Sequence, residues 1–367
     1  MVSPFLFTQS GAKPRRSRAS KLPAGAARFF ILGLSLAGLF LLSLAAGSVS
    51  IPLLDVVTIL LGGQGAKATW ASIILNFRLP ETLTAILAGA GLGISGLLMQ
   101  TLFRNPLADP YVLGVSSGAS LGVALVVLAS GAIGTSLLAG MGPVGDLGVA
   151  AAASLGAALL MLVVLWTARR VSSSLTLLIL GLLFGYLTSA LVSLLLHFSI
   201  PERIQAYITW TFGSFGGVTW SQLRVLAPAT LAGLASAFWL SKPLNALLLG
   251  EFYAQSMGVD VRRTRLAIIA TTALLAGTIT AFCGPIAFIG IAIPHVCRGL
   301  FSTADHRVLA PATILVGAIV ALTAAFIARV PGSNVVLPLN AVTALIGAPA
   351  VIWVILRARN IQKGFEA

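Results

Sequence analysis

Ten apolar stretches divide this chain almost end to end. They cover residues 28–47, 79–103, 111–129, 148–168, 175–198, 221–240, 266–282, 285–300, 309–328 and 339–356, with Pro, Gly or charge between them. A helix needs about 20 apolar residues to cross the hydrocarbon core of a bilayer, so ten crossings fill most of a 367-residue chain and leave no room for a separate soluble domain. Only 9% of the residues are charged, against about a quarter in an ordinary soluble domain, and the mean hydropathy is +1.02. The medium for most of the surface is lipid. The reading is an all-α integral membrane protein whose ten transmembrane helices occupy residues 28–358. A basic leader, residues 1–27, is expected to be disordered, and residues 359–367 form a short tail.

The formal net charge of +14 would suggest a nucleic-acid partner in a soluble protein. Sorted by loop, the charge says something else. With the N-terminus in the cytoplasm, 18 of the 23 Lys and Arg fall inside, among them Lys13, Arg15, Arg16, Arg18 and Lys21 of the leader, and only Lys67, Arg78, Arg203, Arg224 and Arg329 fall outside. The positive-inside rule accounts for that split, places both termini in the cytoplasm, and removes the case for nucleic acid. The apolar run after the leader has the look of a signal peptide. It is too long for one and more spans follow, so it reads as a retained first helix. Cys283 and Cys297 would lie about 21 Å apart along one helix and cannot pair within it.

Several chemistries are excluded by what the spans lack. Asp55, Glu81, Asp109, Asp146, Glu202, Glu251, Asp260, Asp305 and Glu366 all fall in loops or at span ends. With no acidic residue in mid-span to carry a coupling proton, an ion-driven secondary transporter is disfavoured. No G-x-x-x-x-G-K-[ST] phosphate loop occurs, so the chain does not hydrolyse ATP itself. No catalytic residue, resident cofactor or metal set is read. The histidines His197, His295 and His306 are scattered and lack metal-ligand spacing. His295 reads as structural. His197 lies near Tyr207, Trp210 and Phe212 at the outer end of the fifth span, a cluster that fits either substrate contact at a pathway mouth or an interfacial aromatic belt.

The longest inside loop, residues 242–265, carries apolar side chains (Leu247, Leu248, Phe252, Met257) that need a partner. Gly250 and Gly258 divide it into pieces that fit two small helices. An amphipathic loop on lipid headgroups is the plain reading of such a segment. Glycines gather within the spans, as at Gly89, Gly91, Gly93 and Gly96, where small residues allow close helix packing in lipid. Leu87-Ala88-Gly89 with Gly96 is echoed by Leu275-Ala276-Gly277 with Gly284, as an inverted repeat would require, although chance explains so short an echo equally well.

Three ordered blocks give the sequence a resemblance. They are Arg78-Leu79-Pro80 running on to Leu102-Phe103-Arg104-Asn105-Pro106-Leu107-Ala108-Asp109-Pro110 and Leu113-Gly114-Val115-Ser116-Ser117-Gly118; Cys283-Gly284-Pro285-Ile286 to Ile293-Pro294-His295; and Leu337-Pro338-Leu339 to Thr343-Ala344-Leu345-Ile346-Gly347-Ala348-Pro349. In these the chain resembles the iron-chelate, haem and cobalamin permease family of ABC importers. The resemblance implies the type II importer permease fold, with ten helices and an inverted repeat, in a subunit that pairs with a second copy of itself. It further implies two cytoplasmic ATPase subunits, which hold the ATP and Mg, and a periplasmic substrate-binding protein. By position, Asn105 and Leu107 match a cytoplasmic gate loop, and Ser173 and Ser174 match a polar gate at the start of the fifth helix. Gly250, Glu251, Ala254 and Gly258 resemble the element that engages the ATPase. Arg78 and Arg329 match outer arginines that dock the binding protein, and Glu81, where many relatives have a second arginine, is positioned to pair with Arg78. Asn340 stands where relatives often have glycine, which implies a different packing at the outer end of the tenth helix. The implied substrate is an iron chelate, haem ahead of a ferric siderophore, with cobalamin as the alternative.

Overall fold

The computed structural model describes residues 24–129, 143–171, 173–330 and 335–363. Most of the basic leader and the last four residues of the tail lie outside them. Among the described residues the chain is helical without strands. In chain order the helices are α1 (Ala24–Ala45), α2 (Leu53–Leu60), α3 (Ala68–Ser72), α4 (Leu79–Leu102), α5 (Val115–Ala124), α6 (Pro143–Ala168), α7 (Ser174–His197), α8 (Pro201–Thr211), α9 (Trp220–Trp239), α10 (Ser241–Leu248), α11 (Glu251–Ser256), α12 (Val261–Cys283), α13 (Ile289–Phe301), α14 (His306–Ala328) and α15 (Leu339–Lys363). A π-helical turn, Ile73–Arg78, joins α3 to α4, so that Ala68–Leu102 forms one continuous 35-residue span.

Helix α4 is the axis of the molecule. Its sequence is dominated by Gly, Ala, Thr and Leu, it is buried along nearly its whole length, and α9, α12, α13 and α14 pack around it. Lipid supplies no hydrophobic drive between helices, so close backbone approach has to do the work of association. Two glycines show it: a Cβ on Gly96 would overlap the Gly290 carbonyl of α13, and one on Gly89 would overlap the Gly317 carbonyl of α14. The echoing glycines Gly277 and Gly284 have different surroundings from Gly89 and Gly96. A Cβ on Gly277 would meet nothing closer than 3.7 Å, and Gly284, outside a helix with φ +72°, is tight against the Trp210 carbonyl and not against a neighbouring helix of α4.

Among the described residues, six helices are long and apolar enough to cross a membrane, or seven if α9 and α10, bent by 52° at their junction, count as one span. Two more apolar helices, Val115–Leu128 and Ile289–Phe301, are short, while α15 runs for 25 residues with its apolar part at Leu339–Pro349. At 1.5 Å per residue the two short helices are about 20–21 Å long, against a hydrocarbon core of about 30 Å. Local chemistry explains the shortening. Gly114 turns left-handed (φ +83°) between a 3-10 turn, Pro110–Leu113, and α5. Residues 284–288 run without helix from Gly284 through Pro285 before α13 begins.

The ends of the helices gather at two faces. At the basic face lie the segments around Arg104, Arg169, Lys242, Arg262 and His306, linked by hydrogen bonds such as Arg262 Nη2 to the Arg169 carbonyl (2.9 Å). At the opposite face Arg78 and Arg329 reach the end of α1. Cys283 and Cys297 are buried and unpaired.

Candidate functional site

Three regions carry the residues singled out in the sequence. The first is the basic face around α10 and α11. Gly250 takes φ +111° and Gly258 takes φ +80°, a left-handed backbone that glycine adopts at no steric cost. Between them Ala254 is buried, while Phe252 is 87% exposed and Tyr253, Met257 and Leu249 are exposed as well. This is an apolar knob with one buried anchor. Glu251 opens α11 and its Oε1 accepts from Arg265 Nη2 at 3.0 Å. In the sequence Arg265 is only one more inside charge, and no local pattern pairs it with a residue fourteen positions earlier.

The second region holds the gate candidates. Asn105 closes a tight turn by accepting the Leu107 backbone N–H on Oδ1 at 2.9 Å. Leu107 is exposed, and the Pro106 carbonyl between them lies 2.8 Å from His295 Nε2. His295 thus pins this loop to α13. The loop ends at Asp109, whose carboxylate accepts from the Tyr111 N–H at 2.8 Å. Enclosure pushes that carboxyl up to about 6, against the pull of the Tyr111 bond. Ser173 is the N-cap of α7, its Oγ accepting from the Thr176 N–H at 3.3 Å. The side chain of Ser174, the first residue of α7, lies outside the described residues. Among the described residues no hydrogen bond joins Asn105 or Leu107 to Ser173, although the 3-10 turn that follows Asp109 packs on α7, with Val112 against Gly181.

The third region is the open side of α7. Leu177, Gly181, Thr188 and Val192 are its buried residues, all on one face. On the face opposite, from mid-span outward, Tyr186, Ser189, Ser193 and His197 follow at helical spacing and are all exposed, Tyr186 at 71%. Ser193 back-bonds to the Ser189 carbonyl (2.9 Å), and the His197 ring packs edge-on against Phe198 at 5.0 Å. The expected mouth cluster divides here. Tyr207 is buried on α8, stacked obliquely on Trp210 at 6.3 Å, and Trp210 lines a cleft with Gln222 and Cys283. His197 is exposed on α7, apart from that stack.

Arg78 and Arg329 lie at the face opposite the basic one, where Glu81 takes a different partner from the expected Arg78. Arg78 is 5% exposed: its Nη1 donates to the carbonyls of Leu44 (2.7 Å) and Ala45 (2.9 Å), and its Nη2 to Val49. The free carbonyls at the C-terminus of α1 attract a cation, and the guanidinium turns inward to them. Glu81 consequently pairs with Arg329 (2.9 Å) in place of Arg78, and Arg329 also reaches the carbonyl and hydroxyl of Ser43, both at 3.3 Å. Asn340 fills its unusual position with three bonds. Its Oδ1 accepts from the Ala287 N–H and its Nδ2 donates to the Thr211 carbonyl, both at 2.9 Å, while its own N–H donates to the Phe212 carbonyl at 3.1 Å. It fastens the start of α15 to α8 and to the stretch before α13.

Comparison with known proteins matches the model of the FecCD transport family to residues 35–357. The chain is 39% identical to the vitamin B12 import system permease protein BtuC of Klebsiella pneumoniae over 91% of this chain and 95% of that protein. It is also 39% identical to the BtuC of Shigella boydii, over 87% and 92% respectively. A solved structure, described as an inward-facing conformation of a metal-chelate type ABC transporter, superimposes with a TM-score of 0.79. It is 30% identical and covers 90% of this chain and 99% of that one.

Proposed function

This chain belongs to the FecCD transport family as a permease of ABC importers, and on that premise we propose that two copies form one metal-chelate pathway between them. The observation that carries the proposal is the open face of α7. A tyrosine, two serines and a histidine aligned on the unpacked side of a membrane helix are costly against lipid and belong against water or protein. Within one chain that face has neither. A second copy related by a two-fold axis supplies it and brings two α7 faces together. The same pairing sets Asn105, Leu107, Ser173 and Ser174 of each copy around the inner end of the pathway as a gate.

The exposed Phe252, Tyr253 and Met257 flank the anchor Ala254 on the basic face, where two cytoplasmic ATPase subunits bind and supply the ATP-Mg chemistry. A periplasmic binding protein delivers substrate to the opposite face, and a carboxylate on it would compete with Glu81 for Arg329. The membrane is the bacterial inner membrane, with both termini and the basic face cytoplasmic. The two short apolar helices, with the help of the segments that flank them, and the apolar start of α15 complete ten crossings.

For the substrate, the names of the relatives support cobalamin first. Haem is the second reading, favoured by the exposed Tyr186 and His197, both of them residue types that ligate haem iron. The test is uptake into proteoliposomes holding the permease, its ATPase and its binding protein, with cobalamin, haem and a ferric siderophore offered separately. ATP-dependent accumulation of one chelate is expected. Accumulation that needs no ATPase and follows an ion gradient would overturn the reading.

A further inference from the structure

Arg265 lies in the second turn of α12, 5% exposed, and its guanidinium touches two other elements. Nη2 donates to Glu251 of α11 at 3.0 Å, and Nη1 donates to the Val171 carbonyl at 3.2 Å. Val171 belongs to the connection between α6 and α7, two residues before the cap Ser173. One turn earlier on α12, Arg262 donates to the Arg169 carbonyl in the same connection at 2.9 Å. Three elements therefore meet on one buried cation: the helix offered to the ATPase, the helix that carries the cation, and the segment leading into the pathway helix.

We propose that Arg265 is the positioning residue that makes the segment entering α7 move with α11. The inference rests on the importer reading above. Guanidinium is planar and rigid, and its separate donors hold two partners in fixed directions, which a lysine ammonium on a flexible stem does not do. Removing one partner from a buried charge costs far more than a small rigid shift of all the partners. A displacement of α11 therefore draws Glu251, the guanidinium and the Val171 carbonyl along together, and Arg262 keeps the connection aligned on α12. The result is a direct mechanical path from the ATPase-facing surface to Ser173.

The experiment measures substrate taken up per ATP hydrolysed in proteoliposomes of the full transporter. Arg265→Lys and Glu251→Ala are each expected to lower that ratio about tenfold, the size of one lost charge-assisted hydrogen bond. Glu251→Gln keeps an acceptor for Nη2 and should recover most of the ratio. The double variant Arg265→Lys/Glu251→Ala should be no worse than either single one, because both break the same link. Arg263→Met, which removes only an exposed pair with Asp260, serves as the control and should leave the ratio intact. A purely structural role would reduce the amount of folded transporter, and so uptake and hydrolysis together, with the ratio unchanged; that result, or additive losses in the double variant, would overturn the proposal. If wild-type transporter takes up no chelate with ATP, the importer reading itself has failed, a separate outcome from a wild type that works and variants that keep its ratio.

Discussion

His306 is 1% exposed, yet both ring nitrogens have partners: Nδ1 lies 2.7 Å from Asn245 Oδ1 and Nε2 lies 2.8 Å from Thr101 Oγ1. Asn245 Oδ1 also accepts the His306 backbone N–H (2.9 Å), and its amide donates to Asp305 at 2.6 Å. An oxygen that accepts twice fixes the proton on Nδ1. Asn245→Ala strips an acceptor from two buried donors at once, so we expect it to lower stability by about 1–3 kcal/mol, read from thermal or denaturant unfolding of the purified protein. The same network holds the Asp305 carboxyl below its usual range, first through the Arg307 N–H and then through the Asn245 amide. A depressed carboxylate stabilises the fold above its unfolded pKa, and that stability disappears as pH falls through the folded one. Acid sensitivity from this group should therefore shrink in Asn245→Ala, while stability near neutral pH keeps its full deficit. None of this is legible in the sequence. His306 stands out there only as a residue at a span end, because its partners are 61 and 205 positions away and no periodicity links them. Arg265 escapes for the same reason, and the inward turn of Arg78 is hidden because nothing local says which way a guanidinium points.

At the scale of the helix, composition speaks more clearly. The sequence marks the glycines of α4 as contact points, and Gly89 and Gly96 are positions where backbones of neighbouring helices meet. The two opposing effects of Gly→Ala can be set against each other here. Helix propensity alone favours Ala by about 1 kcal/mol, and Gly33 on α1, with open space around its Cα, should show that gain or no change. At Gly96 the new methyl would strike a backbone carbonyl, which cannot rotate away as a side chain does, and overpacking costs about 1–3 kcal/mol. Unfolding midpoints of Gly33→Ala and Gly96→Ala should thus move in opposite directions or differ clearly, and equal midpoints would contradict the packing described. Helix lengths are less legible. Apolarity continues through the left-handed Gly114, so a hydropathy reading runs straight across that break, and it resumes at Pro285, four residues before α13 begins. The short helices α2, α3 and α8 escape such a reading because each is shorter than a hydropathy window.

At the scale of the molecule, one subunit is an incomplete object. Its core gathers around α4, whereas α7 shows most of its surface and directs its polar stripe away from its own bundle. The apolar pattern and the sequence blocks lead as far as a membrane permease, but the direction in which α7 faces comes only from three dimensions. If the subunit is half of a pathway, that face lines water between two copies. In the assembled transporter, Ser193→Cys should react with a membrane-impermeant, water-soluble thiol reagent, and its modification should block chelate uptake. Leu34→Cys, at an exposed position on the peripheral helix α1, should stay unreactive, and the native Cys283 and Cys297 are buried and give little background. No reaction in the Ser193→Cys transporter, or uptake that survives full modification there, would contradict a pathway along α7.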